Sequence, residues 1–172
     1  MDARDSELQD KALEAAKKGD VAGVLALVSE MGAAVETAPE AGVKLRMRAG
    51  SGTDDGCVTT GYEASAERPA GWPADVPFLA NTQASLTLFD KPGRRVAVQW
   101  WKVEDPARAA QAVVQESLAA GWQETSAPSL PGVLAGLRIA LLERDGVERT
   151  VLSAAIKDFG LVSLTEGRKR EG

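Results

Sequence analysis

Residues 84–122 have the sequence ASLTLFDKPGRRVAVQWWKVEDPARAAQAVVQESLAAGW, and this stretch carries the clearest structural signals in the chain. Polar and apolar residues alternate from Ser85 to Phe89 and again from Arg94 to Trp100, which predicts two β-strands. Between them, Asp90-Lys91-Pro92-Gly93 favours a type II turn, because proline presets the first central φ and glycine tolerates the positive φ that follows. The stretch therefore begins with a predicted β-hairpin.

The alternation assigns the side chains of this hairpin to two faces. The predicted inward residues are Leu86, Leu88, Val96, Val98 and Trp100. Adjacent strand residues point to opposite sides, so Trp101 is expected on the other face of the sheet. Two interpretations of Trp101 follow: the N-terminal helices cover it, or it is an aromatic anchor for a protein partner.

A helix is predicted directly after the hairpin. Asp105 can accept a hydrogen bond from an unpaired amide of the first turn, and Pro106 suits the first helical position. Gly121 suits the left-handed residue that ends a helix, and Trp122 is expected to fold back into the core. The predicted inward face consists of Ala110, Val113, Val114, Ser117 and Leu118, and the outward face of Arg108, Gln111, Gln115 and Glu116.

Helices and strands are also predicted on both sides of this stretch. Helical spacing predicts a helical hairpin, with one helix over Ser6–Lys18 and a second, capped by Asp20, to Met31. Strands are predicted over 43–49, 57–64, 137–141, 150–156 and 161–165, with a type I′ turn at Asp145-Gly146. Asp158-Phe159-Gly160 matches a kinase magnesium motif, but the other kinase motifs are missing, so we interpret it as a turn.

Together these elements predict an α+β fold: an antiparallel sheet with the Asp105–Ala120 helix on one face and the N-terminal helical hairpin nearby. We expect one compact domain with four parts: residues 1–66, a linker at 67–82, a β-β-α-β-β-β unit at 83–167 and a tail at 168–172. The segment Ala119–Pro128 is similar to Met31–Pro39, which a duplicated α-β-β unit would explain.

Composition limits the classes of partner. The 172 residues, 44% of them hydrophobic and 26% charged, suit one globular domain with a sizeable core. A formal charge of -5 and the lack of a long basic run argue against nucleic-acid binding, and Arg168-Lys169-Arg170 is interpreted as a solvated tail. No apolar run approaches the ~20 residues that span a bilayer. The expected location is the cytoplasm if Met1 is native, or the periplasm or envelope if a signal has been removed.

The absence of histidine carries the strongest chemical exclusion. It rules out Ser-His-Asp and Cys-His catalysis and imidazole metal sites. Cys57 is the only cysteine and is interpreted as a small apolar filler. The acid pairs Asp54/Asp55 and Glu143/Asp145 flank predicted turns, where solvated carboxylates are ordinary, and the loop 50–56 lacks the lysine of a phosphate-binding loop. We therefore predict no catalytic residue, no cofactor and no metal, and a protein that is not an enzyme.

Two resemblances extend this interpretation. The run AAKKGDVAGVLALVSEMGA, Ala15–Ala33, resembles the helix-turn-helix of an ankyrin repeat, although the Thr-Pro-Leu-His motif is absent and no second copy follows. The part from Trp72-Pro73-Ala74-Asp75-Val76-Pro77 through Ala120-Gly121-Trp122 to the closing strands resembles bacterial envelope and lipoprotein domains of β-β-α-β-β layout, but without a lipobox. That resemblance implies a non-enzymatic role at the envelope.

The expected function is thus a non-catalytic protein-interaction or envelope-accessory module of a bacterium, with Trp101 as the partner-binding residue. The alternative is a carrier of a small ligand or lipid, with a pocket between helix and sheet near Trp101.

Overall fold

A computed structural model describes residues 3–30, 34–38, 42–48, 56–89, 96–125, 137–156 and 159–168. These residues form three helices: α1 (Ala3–Lys17), α2 (Val21–Glu30) and α3 (Pro106–Ala119). They also form nine strands: β1 (Ala34–Ala38), β2 (Gly42–Arg48), β3 (Gly56–Tyr62), β4 (Gln83–Phe89), β5 (Val96–Trp101), β6 (Gln123–Thr125), β7 (Arg138–Arg144), β8 (Val147–Ile156) and β9 (Phe159–Arg168).

All nine described strands belong to one antiparallel sheet in the order β1-β2-β3-β4-β5-β9-β8-β7-β6. Neighbouring strands mostly follow one another in the chain, which short antiparallel connections allow. The exception is β5, which pairs with β9 across the whole segment that contains α3. α2 lies against β1 to β4, and α3 lies against β8 and β9.

The predicted fold class is wrong. The fold is sheet-dominated: all nine described strands form one sheet, and the helices α1, α2 and α3 are secondary to it. The predicted α-β-β unit is also wrong in length, because five strands lie between α2 and α3 and four follow α3. The error has a physical cause: the edge strands β1 and β6 were not predicted, and the three side chains of β6 are all exposed, so they show no alternation.

The β4–β5 hairpin has the predicted faces. Leu86 pairs with Val98 and Ala84 with Trp100, and the side chains of Val98 and Trp100 are 0% exposed. Leu88 lies on the same face opposite Val96 but is 41% exposed, because it is near the end of the strand. The predicted turn at 90–93 lies outside the described residues.

Both predicted ends of α3 are confirmed. The Asp105 carboxylate accepts a hydrogen bond from the backbone N–H of Arg108 at 3.1 Å, and Pro106 is the first helical residue. Gly121 has a φ of 91°, and the N–H of Trp122 donates to the carbonyl of Ser117 at 3.1 Å. Trp122 is buried at 4% exposure, as predicted.

The core lies between α3 and the sheet, because Val113, Val114 and Ser117 are buried against strand residues that share one face. The segment between β3 and β4 adds Trp72 and Val76 to the same cluster. Trp72 donates from Nε1 to the carbonyl of Val76 at 3.0 Å, which satisfies its buried N–H. The main strand residues of this core are Tyr62, Ala84, Leu86, Val96, Val98, Trp100, Leu142, Val147, Val151, Val162 and Leu164.

The turn between α1 and α2 packs on the opposite face of the sheet from α3. A Cβ added at Gly19 would lie 2.9 Å from Oε1 of Gln83 and 2.6 Å from Cγ of Lys102. Gln83 alternates with the core residue Ala84, so its side chain points away from α3. The α1–α2 turn and α3 therefore lie on opposite faces of the sheet.

Several predicted features lie wholly or partly outside the described residues: most of the loop 50–56, the end of Ala119–Pro128, Asp158 and the tail from 169. The type I′ turn is described, with φ of 51° at Asp145 and 73° at Gly146, as that turn type requires. None of the described helices combines the length and hydropathy that a bilayer crossing requires.

Candidate functional site

Trp101 lies at the end of β5 opposite Gln83, on the other face of the sheet from Trp100. Its side chain is partly exposed, whereas Trp100 is fully buried. The α1–α2 turn reaches Gln83 and Lys102, so the N-terminal helices approach this end of the face. The opposite orientations of the two tryptophans are confirmed, and a partner-binding role for Trp101 stays a prediction.

A groove opens between α3 and the strands β7 and β8, on the face away from Trp101. Its volume is about 370 Å³, within the range of roughly 300 to 1,000 Å³ that is usual for small-molecule sites. It is lined by Ala107, Ala110, Gln111, Val114, Gln115, Glu124, Arg138, Ile139, Ala140, Val151 and Ser153.

The groove has an apolar floor and a polar rim. On the sheet, Arg138 pairs with Ser153 and Ala140 with Val151, and positions two apart on a strand share a face. On α3, the lining residues recur at helical spacing, so they form one stripe of the helix. Alanine and valine make up the floor and inner wall, while glutamine, arginine and glutamate supply the polar groups.

The long axis of the groove follows from two contacts. Ser117 of α3 is hydrogen-bonded to Arg149 of β8, and Arg149 pairs with Leu142 of β7. The C-terminal part of α3 therefore lies beside Leu142, and its N-terminal part lies beside Arg138, which is four residues or ~13 Å away along β7. Glu124 pairs with Leu142, so Arg138 and Glu124 mark opposite ends of the groove.

Arg138 supplies a positive charge at one end of the groove. Arg138 is exposed and makes no ion pair with the residues that the structure describes. Ser153, directly across the strand pair, is 2% exposed, and its side chain lines the groove. The N-terminus of α3 adds little positive charge to this end of the groove, because the carboxylate of Asp105 caps the helix.

A second polar feature, the buried arginine network, lies just beyond the other end of the groove. The Arg149 side chain is 0% exposed and Glu166 is 4% exposed, and the two form an ion pair through Nε and Nη2 of the arginine. Nη1 donates to Oγ of Ser117 at 2.8 Å, and Nη2 also donates to the carbonyl of Asp75 at 3.1 Å. The guanidinium stacks on the ring of Trp122, 3.9 Å from the ring centroid.

This network joins four parts of the fold rather than forming an open site. Burial lowers the pKa of Arg149 from its ordinary value, and hydrogen bonding with Glu166 opposes that shift. All three guanidinium nitrogens already donate to protein acceptors. We therefore assign the buried arginine network a structural role.

Sequence reasoning missed this network, although the sequence contains a signal for it. Val147, Arg149 and Val151 are two residues apart along β8, so their side chains share the inward face of that strand. Glu166 shares the inward face of β9 with Val162 and Leu164 in the same way. A charged residue at an inward position of each of two strands predicts a buried pair.

The remaining candidate residues do not come together. Cys57 is buried in β3, and Asp145 lies in the β7–β8 turn. The structure describes neither Asp54 nor Asp55. Among the described residues no cluster of acids and cysteine has the arrangement of a metal site.

No family model, curated protein or solved structure matches this chain. The resemblances to envelope domains and to an ankyrin repeat therefore stay predictions.

Proposed function

We propose that this protein is a non-catalytic binding module whose groove between α3 and the β7–β8 strands receives a small ligand. The observation that carries the proposal is the groove itself, about 370 Å³ with an apolar floor and a few polar side chains at its rim. This combination is typical of ligand sites, because apolar surface supplies affinity and a few polar groups fix orientation. This groove lies on the other face of the sheet from Trp101, near which the sequence predicted the pocket of a carrier.

Both the apolar floor and the polar rim of the groove would contribute to affinity. Each Å² of apolar ligand surface removed from water contributes roughly 25 cal/mol, before the entropy cost of immobilising the ligand is subtracted. Val151 is 1% exposed and Val114 8%, so a molecule that covers them and Ala140 would gain mainly by burying its own apolar surface. We therefore expect a ligand with a substantial hydrocarbon part.

Blocking the groove tests this proposal. Gln111 is exposed and lines the groove, so Gln111→Trp should fill the mouth of the groove without disturbing the core. Ala112→Trp is the matched control, because Ala112 is exposed on the same helix but does not line the groove.

Saturation-transfer NMR with octanol, octanoate and octylamine provides the measurement. At least one of these probes should bind the wild-type protein and Ala112→Trp, and lose binding in Gln111→Trp. Failure of all three to bind the folded wild-type protein would refute the proposal, as would equal binding to both variants.

A second candidate, protein interaction through Trp101, is favoured by one observation: this large aromatic side chain is partly exposed on the sheet face away from α3. Aromatic anchors concentrate binding energy at interfaces. Trp101→Ala should then keep its melting temperature but lose a partner that the wild-type protein retains in a pulldown. Gln99→Ala, exposed two residues away on the same face, is the control and should retain that partner.

The bacterial envelope is the proposed place of action, and the resemblance to envelope domains is its support. Cell fractionation of the natural host tests it, since recovery of the protein only with cytoplasmic markers would contradict it.

A further inference from the structure

We propose that the ligand of the groove is an amphipathic molecule with one anionic head group of the carboxylate type, held by Arg138 and Ser153. This inference rests on the proposed ligand-binding function and specifies the chemistry of the same groove. The apolar part of the ligand lies along Ala140, Val151 and Val114, toward Glu124.

The first argument concerns the head group. Arg138 forms no ion pair with the described residues, and its guanidinium is a fork of donors that fits a carboxylate. Its cross-strand neighbour Ser153 lies on the same face, and such neighbours have Cβ atoms about 5 Å apart. Ser153 is 2% exposed, so an acceptor that reaches its hydroxyl must enter the groove. One carboxylate can therefore accept from both side chains.

The second argument concerns the body of the ligand. The residues next to this pair along the strands are Ala140 and Val151, which pair with each other, and Val114 faces them from α3. These side chains offer no hydrogen-bond donor or acceptor. A polar body would find partners only in Gln111 and Gln115 on the α3 side, so a hydrocarbon body is favoured over the strand side of the groove.

The third argument limits the ligand to one negative charge. Glu124 lies at the other end of the groove, ~13 Å from Arg138 along the strand direction. A second carboxylate at the far end of a ligand would approach Glu124, and like charges repel. The groove therefore selects a monoanion over a dianion of the same length.

The test compares four probes of one chain length by isothermal titration calorimetry: octanoate, octanol, octylamine and octanedioate. Octanoate should bind most tightly, with a Kd about 5-fold or more below those of the neutral, cationic and dianionic probes. Arg138→Gln should raise the Kd of octanoate about 5- to 10-fold and leave that of octanol unchanged.

The control variant is Arg168→Gln, which removes the same charge from an exposed residue about 20 Å away along β8 and β9 and should change neither Kd. Glu124→Gln should reduce the difference in Kd between octanedioate and octanoate. Circular dichroism of each variant verifies that it is folded.

Three outcomes separate this inference from the proposed function. If octanol or octylamine binds as tightly as octanoate, and Gln111→Trp blocks it, the groove binds ligands but the carboxylate inference is wrong. If Arg138→Gln and Arg168→Gln weaken octanoate equally, only the general charge matters and the inference is again wrong. If no probe binds, both the proposed function and this inference fail.

Discussion

Arg149→Met is the substitution that most directly tests how this fold is held together. It removes a cation that is 0% exposed and leaves the carboxylate of Glu166, 4% exposed, without its charge partner. It also takes a donor from Oγ of Ser117 and another from the carbonyl of Asp75. Methionine keeps an apolar chain of similar length, so the loss is mainly electrostatic.

Breaking one side of a buried ion pair costs about 3 to 5 kcal/mol, because the remaining charge has lost both water and partner. For a chain of this size, each kcal/mol lowers the melting temperature by roughly 2 to 4 °C, so Arg149→Met should melt about 6 to 20 °C lower. Urea denaturation followed by tryptophan fluorescence measures the free energy of unfolding. Arg138→Met, at an exposed arginine, is the control and should stay within about 0.5 kcal/mol of the wild-type value.

The double variant Arg149→Met/Glu166→Leu separates the lost pair from lost packing. It removes the uncompensated charge, so it should be more stable than Arg149→Met alone. A loss of less than about 1 kcal/mol in the free energy of unfolding of Arg149→Met would refute the reasoning, because a buried carboxylate without a partner destabilises the fold by more than that. A double variant whose loss equals the sum of the two single losses would show that the residues do not interact.

Three further predictions concern single positions. Gly160→Ala should destabilise the fold by at least about 2 kcal/mol in urea denaturation, because its Cβ would overlap the backbone carbonyl of Val103; an unchanged free energy of unfolding would contradict this close approach. Gly121→Val should lower the free energy of unfolding by about 1 kcal/mol or more, because a β-branched residue resists the φ of 91°, whereas nothing lies within 4 Å of an added Cβ. Gly121→Asn should lower it by less, and equal losses for the two variants would argue against a conformational cause. Burial raises the pKa of Tyr62 above its ordinary value of 10.0, so the stability that this residue contributes is present below that pH and is lost as the pH rises through the raised pKa. Tyr62 is the only tyrosine, so tyrosinate absorbance follows it directly, and Tyr62→Phe should lack the alkaline loss of stability; an ordinary titration in the folded protein would disprove the shift.

The amino-acid sequence alone determined the features whose causes lie within a few residues. Alternation placed Leu86, Val98 and Trp100 on the inward face, and the residue types at Asp105-Pro106 and Gly121 determined where α3 begins and ends. Asp145-Gly146 likewise specifies the β7–β8 turn. In each case the backbone preferences of neighbouring residues are enough, because the groups that interact lie within a few residues of one another in the chain.

The tertiary structure decided what depends on residues that are distant in the chain. The pairing of β5 with β9 joins the β8–β9 hairpin, which carries Arg149 and Glu166, to the rest of the sheet and completes the core, and no local signal specifies that pairing. The groove exists because α3 lies against β8 and β9, so that the stripe of α3 that contains Gln111 comes close to Arg138 of β7 and Ser153 of β8. Gln111 and Arg138 meet there because burying one apolar face of α3 fixes its position on the sheet. Only the folded chain determines which strands lie beneath that helix.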